Sequence, residues 1–288
     1  KNYLHDFGYK NINYLNKRIY FNFFLKKLKK KISNFKTLFY NFFTEIIFVL
    51  FKKSRRKRLG KNIIYTHLKK HWSLNKKNEL EYVYFKKIKK YSFLISLMRR
   101  NERRLDFFNT NQLSEKIFSK SNFDIIENYS SIGSIVKAYF YSIKTNFLIK
   151  LKDRHNFYFK DVINDSLIID LAKQNSFQYS LKEFFKTNKV KNLCVPIFEL
   201  AEGRTVISEA NKSKNVFKTI GYQHGFMSDH SFQRFESSKN IFKTNGDKTV
   251  IPNKIFTFGE IYKKLIDKKI YNNQIIGNCR LTNLPKKY

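Results

Sequence analysis

From residue 62 onward, short apolar runs alternate with segments of helical spacing. Residues 62–67 (NIIYTH), 193–198 (LCVPIF), 217–222 (FKTIGY), 254–258 (KIFTF) and 274–277 (QIIG) each predict a buried strand. Between them the apolar positions recur at three- and four-residue steps. Residues 81–100 predict a helix with Phe85, Ile88, Ile95 and Met98 on one face. Residues 124–151 predict a long amphipathic helix whose face is Ile125, Tyr129, Ile132, Val136, Tyr139 and Ile143, with Gly133 at a close packing contact. Residues 161–174, 180–186 and 260–268 predict further helices, as does the segment carrying Val206, Ile207 and Ala210. Residues 231–249 are polar and predict irregular chain. Alternating helix and strand predicts an α/β fold, a Rossmann-like parallel sheet with flanking helices.

Residues 1–61 follow a different pattern and predict a basic, helical N-terminal region. Residues 25–31 read LKKLKKK, and 38–51 read LFYNFFTEIIFVLF. The second run is shorter than the roughly 20 apolar residues a bilayer crossing needs, and Asn41, Thr44 and Glu45 interrupt it. Residues 52–58, KKSRRKR, follow at once. An aromatic-rich helix between two basic clusters suits the cytoplasmic face of an anionic membrane. The competing reading is a core helix followed by a solvated basic loop. Residues 62–280 then form the Rossmann-like domain, and 281–288 begin a linker.

Composition sharpens this only in part. Lys and Arg number 58 against 22 Asp and Glu, a net charge of +36. Such a balance points to nucleic acid or an anionic membrane surface. The chain is also crowded with Lys, Asn, Ile, Phe and Tyr, residues that an AT-rich genome favours, so mutational bias is a second source of the charge. The scarcity of Arg relative to Lys argues against dedicated bidentate recognition of phosphate. Cys194 and Cys279 lie far apart in apolar runs and are expected to be buried free thiols, as in a reducing cytoplasm. The chain begins at Lys1, as a fragment would, and shows no signal peptide at its start.

Candidate chemistry gathers between residues 193 and 229. In open α/β sheets, ligands bind beyond the carboxyl ends of the strands. Glu199 and Glu202 follow one predicted strand there, and Gln223, His224 and Gly225 follow the next. His224 has the chemistry of a general base or of a donor to a phosphate or sugar hydroxyl, and Gly225 permits close backbone approach. Glu199 and Glu202 can accept a hydrogen bond from a sugar hydroxyl, or simply favour a helix N-terminus. Arg204 can pair with either carboxylate or with a ligand phosphate. Arg99, Arg100, Arg103 and Arg104 suit a helix C-terminus or a cleft for a phosphorylated ligand. Residues 246–249 (GDKT) lack the earlier glycine of a phosphate loop, and no metal-ligand spacing or nucleophile motif is present.

At these residues the chain resembles bacterial surface-polysaccharide biosynthesis proteins similar to GT-B-type glycosyltransferases. The resemblance is carried by Phe198-Glu199, Glu202 and Ala210, then Thr219-Ile220-Gly221-Tyr222-Gln223-His224-Gly225. Pro252-Asn253-Lys254-Ile255 with Gly259, and Ile276-Gly277-Asn278-Cys279-Arg280, follow in the same order. It covers roughly residues 124–280, and 62–100 less clearly. The motifs are short, and their order and spacing carry the likeness. A tryptophan frequent in the helix after the Glu strand is absent here. The resemblance implies two Rossmann-like domains facing a cleft, the first for the acceptor and the second for the nucleotide-sugar donor. This chain would supply the first and reach the join to the second.

Two functional expectations follow. One is a glycosyltransferase, or its acceptor-side half, moving a sugar from a nucleotide-sugar to a glycan or lipid-linked acceptor for a cell-surface polysaccharide. It would be cytoplasmic and peripheral at the inner face of the membrane, with no bound cofactor or metal. Glu199 would act as base and His224 would contact acceptor or phosphate, with Glu202, Arg204, Gln223 and Gly225 around the substrate. The alternative is a basic nucleic-acid-binding protein without catalytic activity, with aromatic residues stacking on bases. Against it, no recognised nucleic-acid-binding signature is present, and the lysines are spread along the chain.

Overall fold

A computed structural model describes residues 17–52, 56, 58–67, 91–97, 115, 122–152, 157–196, 198, 200–222, 248–260 and 272–275. The first described element is a long helix, α1 (Lys17–Phe51). Strands β1 (Asn62–His67), β2 (Ser92–Ser96) and β3 (Phe123–Ile125) follow, the last running into a 3-10 turn, Ile126–Tyr129. Two helices come next, α2 (Ile132–Lys152) and α3 (Phe157–Thr187). The chain then forms β4 (Val190–Val195), α4 (Ala201–Lys212), β5 (Val216–Tyr222), β6 (Lys254–Thr257) and β7 (Asn273–Ile275).

The seven strands make one sheet of order β3-β2-β1-β4-β5-β6-β7, parallel throughout. This is the expected Rossmann-like α/β architecture. The winding direction reverses between β1 and β4, where Ile64 pairs with Cys194. Such a reversal leaves a crevice at the carboxyl ends of the strands.

Side chains alternate across the sheet as the pleat requires. Ile63 and Tyr65 join Leu193, Val195 and Ile207 in one core, which α3 and α4 close with Phe184, Phe185 and Val206. Ile64 faces the other way, with Phe93, Ile95, Ile125, Cys194 and Tyr222. Each fully buried side chain of this kind contributes about 1.5–3 kcal/mol. Cys194 is buried, as expected, and is not in a disulfide; Cys279 lies outside the described residues. A third, smaller core joins Leu38 of α1 to Ile135, Ala138 and Tyr139 of α2 and Ala172 of α3. In the strand that precedes His224, Gly221 is required by packing. A Cβ there would stand 2.7 Å from the ring of Phe198.

Several sequence expectations are corrected. The second half of the helix expected over 81–100 is strand β2, wholly buried and paired on both sides. The two helices expected over 161–174 and 180–186 are one, α3. The face expected for 124–151 begins in β3 and the 3-10 turn. Within α2 it is Ile135, Ala138, Tyr139 and Ser142 that are buried, while Ile132, Val136 and Ile143 point to solvent. Gly133 meets nothing within 4 Å. The helix expected at 260–268 falls outside the described residues, save Glu260.

Candidate functional site

A small, open cleft lies beyond the carboxyl ends of β1 to β4, between the sheet, α1 and α3. Its walls carry three carboxylates, Glu45, Glu127 and Glu202, with four serines, Gln174 and Lys173. Each carboxylate is fixed by a different element.

Glu202 stands in the first turn of α4, where the helix dipole favours an anion. The residue before the helix, Leu200, offers no side-chain cap. The Glu202 carboxylate instead accepts a hydrogen bond from the Tyr65 hydroxyl of β1. Burial, then the nearby Glu202 charge, push the Tyr65 phenol well above its ordinary range, so it stays protonated and donates. This contact spans the switch point itself.

Glu127 lies on the 3-10 turn after β3. Asp124 pins that turn, accepting from the Ile125 N–H at 2.7 Å, the Asn128 amide at 3.1 Å and the Tyr129 hydroxyl at 2.7 Å. Glu127 Oε1 in turn accepts from Ser96 Oγ and from the Leu97 N–H, both at 2.9 Å, where β2 ends.

Glu45 comes from α1 and is wholly buried. Tyr139 donates to it from α2 at 3.0 Å, and Ser176 from α3 at 2.6 Å. Burial pushes its carboxyl up to about 7, despite those two bonds and the Lys173 charge, which pull it down. Near neutral pH such a group exchanges its proton readily in either direction, which is the property of a general acid or base. Also in the cleft lining, the Ser130 and Ser180 hydroxyls share a bond of 2.6 Å.

Of the residues the sequence singled out, Glu202 lines the cleft. Arg204 is half-buried in the same turn of α4, its N–H donating to the Leu200 carbonyl at 2.8 Å, and it does not line the cleft. Glu199, Gln223, His224 and Gly225 lie outside the described residues. The strands that precede them, β4 and β5, are parallel neighbours with Val195 opposite Gly221. Of the expected basic cluster at 52–58, two cations are committed within the fold. Lys52 Nζ and Arg56 Nε both donate to the Asn128 carbonyl, at 2.8 and 3.2 Å, and Arg56 lies over the Tyr129 ring. Arg99, Arg100, Arg103 and Arg104 lie outside the described residues.

The sequence reading missed Glu45, Glu127 and Tyr65. Only Glu45 left a signal: it is the one acidic residue in the whole of α1. Among the described residues, no group of three or more His, Cys, Asp or Glu is arranged to hold a metal ion. No family model, curated protein or solved structure matches the chain.

Proposed function

We propose that the chain is a glycosyltransferase, or the acceptor-side half of one, that serves a cell-surface polysaccharide from the inner face of the cytoplasmic membrane. A carboxylate-lined cleft at the switch point of a parallel sheet is the observation that carries this reading. Carboxylates, hydroxyls and an amide are the partners a polyol recruits, each accepting or sharing a hydroxyl proton. When ionised, the cleft carboxylates would repel the phosphates of a nucleic acid, although Lys173 also lines the cleft and the chain as a whole is strongly cationic. The cleft's chemistry therefore favours a glycan over a polynucleotide.

In this reading the acceptor glycan lies in the cleft, one hydroxyl hydrogen-bonded to Glu202 and another near Glu45. The attacking hydroxyl oxygen forms a bond to the anomeric carbon of the donor sugar. The bond from that carbon to the diphosphate oxygen breaks, and the nucleoside diphosphate leaves with its electron pair. The hydroxyl proton passes to a carboxylate, Glu45 or, as the resemblance implies, Glu199. His224 would meet the acceptor or the departing phosphate.

The test is transfer from a panel of labelled nucleotide-sugars to a lipid-linked glycan by the full-length polypeptide, with Glu45→Gln and Glu202→Gln alongside. Transfer that both changes impair supports the reading. Tight binding of single-stranded oligonucleotides at physiological salt, undiminished by either change and unaccompanied by transfer, overturns it.

A further inference from the structure

Among the described residues, the outward faces of α1 and α2 display apolar side chains that are left exposed. On α1, Phe35 is 61% exposed, Phe43 52% and Phe51 64%; on α2, Phe140 is 69% exposed. The rings of Phe35, Phe39 and Phe43 succeed one another along α1 with centroids 4.7 and 6.1 Å apart. Phe42 links the two helices, its ring edge-on to Tyr139 at 5.0 Å. A folded chain leaves so much aromatic surface open where something else covers it.

Charge identifies the cover. The sole acidic residue of α1 is Glu45, which points inward, and α2 has none. Lys29, Lys36, Lys137 and Lys144 are exposed on these two helices. The face thus combines aromatic residues and lysines without an outward carboxylate. A second copy of a chain with net charge +36 would bring like charge against like. An anionic bilayer instead receives the rings at the headgroup boundary and the ammonium groups at the phosphates. No described helix is long and apolar enough to cross a membrane, so the contact is in the plane of the surface.

We infer that α1 and α2 together form a docking surface for an anionic lipid bilayer. This deepens the peripheral placement proposed above and rests on it. It adds α2, where Ile132, Val136 and Ile143 were expected to be buried, and it excludes Lys52 and Arg56, which hold Asn128. Glu45 and Phe43 lie two residues apart on α1, so the lipid-facing side and the cleft are backed by one helix, whose diameter is about 10–12 Å. A lipid-linked acceptor would need to climb no further than that.

The experiment is co-sedimentation of the 288-residue chain with vesicles of phosphatidylcholine alone or mixed with phosphatidylglycerol. The face variant is Phe35→Ser/Phe43→Ser/Phe140→Ser, which keeps every charge. The control, Lys189→Gln/Lys191→Gln/Lys214→Gln, removes exposed charge at the amino ends of β4 and β5. The expected result is binding to the anionic vesicles, weakened roughly tenfold or more in the face variant and less than about twofold in the control. Wild-type binding that the face variant retains overturns the docking surface and leaves the peripheral placement standing. An equal loss in the control also overturns it, since bulk charge would then suffice. No wild-type binding to either vesicle removes the peripheral placement itself. A face variant that only turns a dimer into a monomer assigns the surface to a second copy and overturns the lipid.

Discussion

At the carboxyl half of the central strands every residue is hidden: Leu193 to Val195 in β4 and Thr219 to Tyr222 in β5 are all buried. The fit is close enough that Gly221 has no room for a Cβ beside Phe198. The helical layer of α1 and α2 is built differently. It leaves Phe35, Phe43 and Phe140 in solvent while burying Asn41, Thr44 and Glu45. In Asn41, both polar side-chain atoms are buried without a hydrogen-bond partner. Beside the packed sheet, this layer buries polar groups along with a small apolar core and leaves aromatic rings exposed, which departs from what burial alone would select.

The strongest way to break that comparison is at Glu45. Its carboxyl, held at about 7 against an ordinary value of 4.5, keeps its proton more tightly in the folded chain than in the unfolded one. Its contribution to stability is therefore fully present below pH 4.5 and is lost as pH rises through about 7. The loss is roughly 3 kcal/mol. Glu45→Gln should remove that share of the pH dependence, read as denaturant midpoints at pH 5 and 8 in both proteins. The same change should lower transfer about 10²- to 10⁴-fold. Greater stability at pH 8 together with lost transfer would fit a functional carboxylate. A pH dependence of stability unchanged by the substitution would mean Glu45 is ionised in both states.

The packed region answers to a different change. Gly221→Ala forces a methyl group against the Phe198 ring, 2.7 Å away on a core side chain. The expected cost is about 1–3 kcal/mol, visible as a lower Tm. An unchanged Tm would show that Phe198 yields freely and that the strand end is looser than its burial indicates.

How legible these regions were follows from the residues themselves. Strands β1, β4, β5, β6 and β7 stood out because each overlaps a short apolar run bounded by polar or turn residues, although β4 begins three residues before the expected start at Leu193. Strand β2 did not, because Phe85, Ile88 and Ile95 happen to satisfy a helical period across it. Strand β3 is three residues long and carries a buried Asp124, whose partners come from the turn that follows. Helix α3 was split by polar residues at 175–180, yet Ser176 and Ser180 are buried there because they serve Glu45 and Ser130. The cleft was illegible for the same reason. Glu45 and Ser176 are 131 residues apart, as Tyr65 and Glu202 are 137 apart, and no local pattern joins them. Amphipathicity placed Tyr139 correctly but misplaced Ile132, Val136 and Ile143, which are as apolar as the residues that are buried.

A substitution of opposite sign sharpens the contrast. Asn41→Leu replaces two buried polar atoms that have no partner with apolar ones of similar volume. It should stabilise the chain by about 1–2 kcal/mol, raising the denaturant midpoint. Destabilisation would mean that the amide is satisfied in solution, by water or by a ligand.

The smallest effect is the most telling for the outward face. Phe140 is 69% exposed, so Phe140→Ser removes little that the fold uses. Its effect on stability should lie within about 0.5 kcal/mol, and thermal unfolding of the chain in solution measures it. A ring that holds the helical layer together would cost several times more, as the core side chains do. The same change should still weaken partition onto anionic vesicles, because there the ring leaves water for the lipid boundary. The two readings separate what burial within the chain requires from what burial against a partner requires. A large loss of stability would make Phe140 part of the core and take α2 out of the docking surface. A near-silent change in solution that weakens vesicle binding leaves an apolar face whose purpose lies outside the fold.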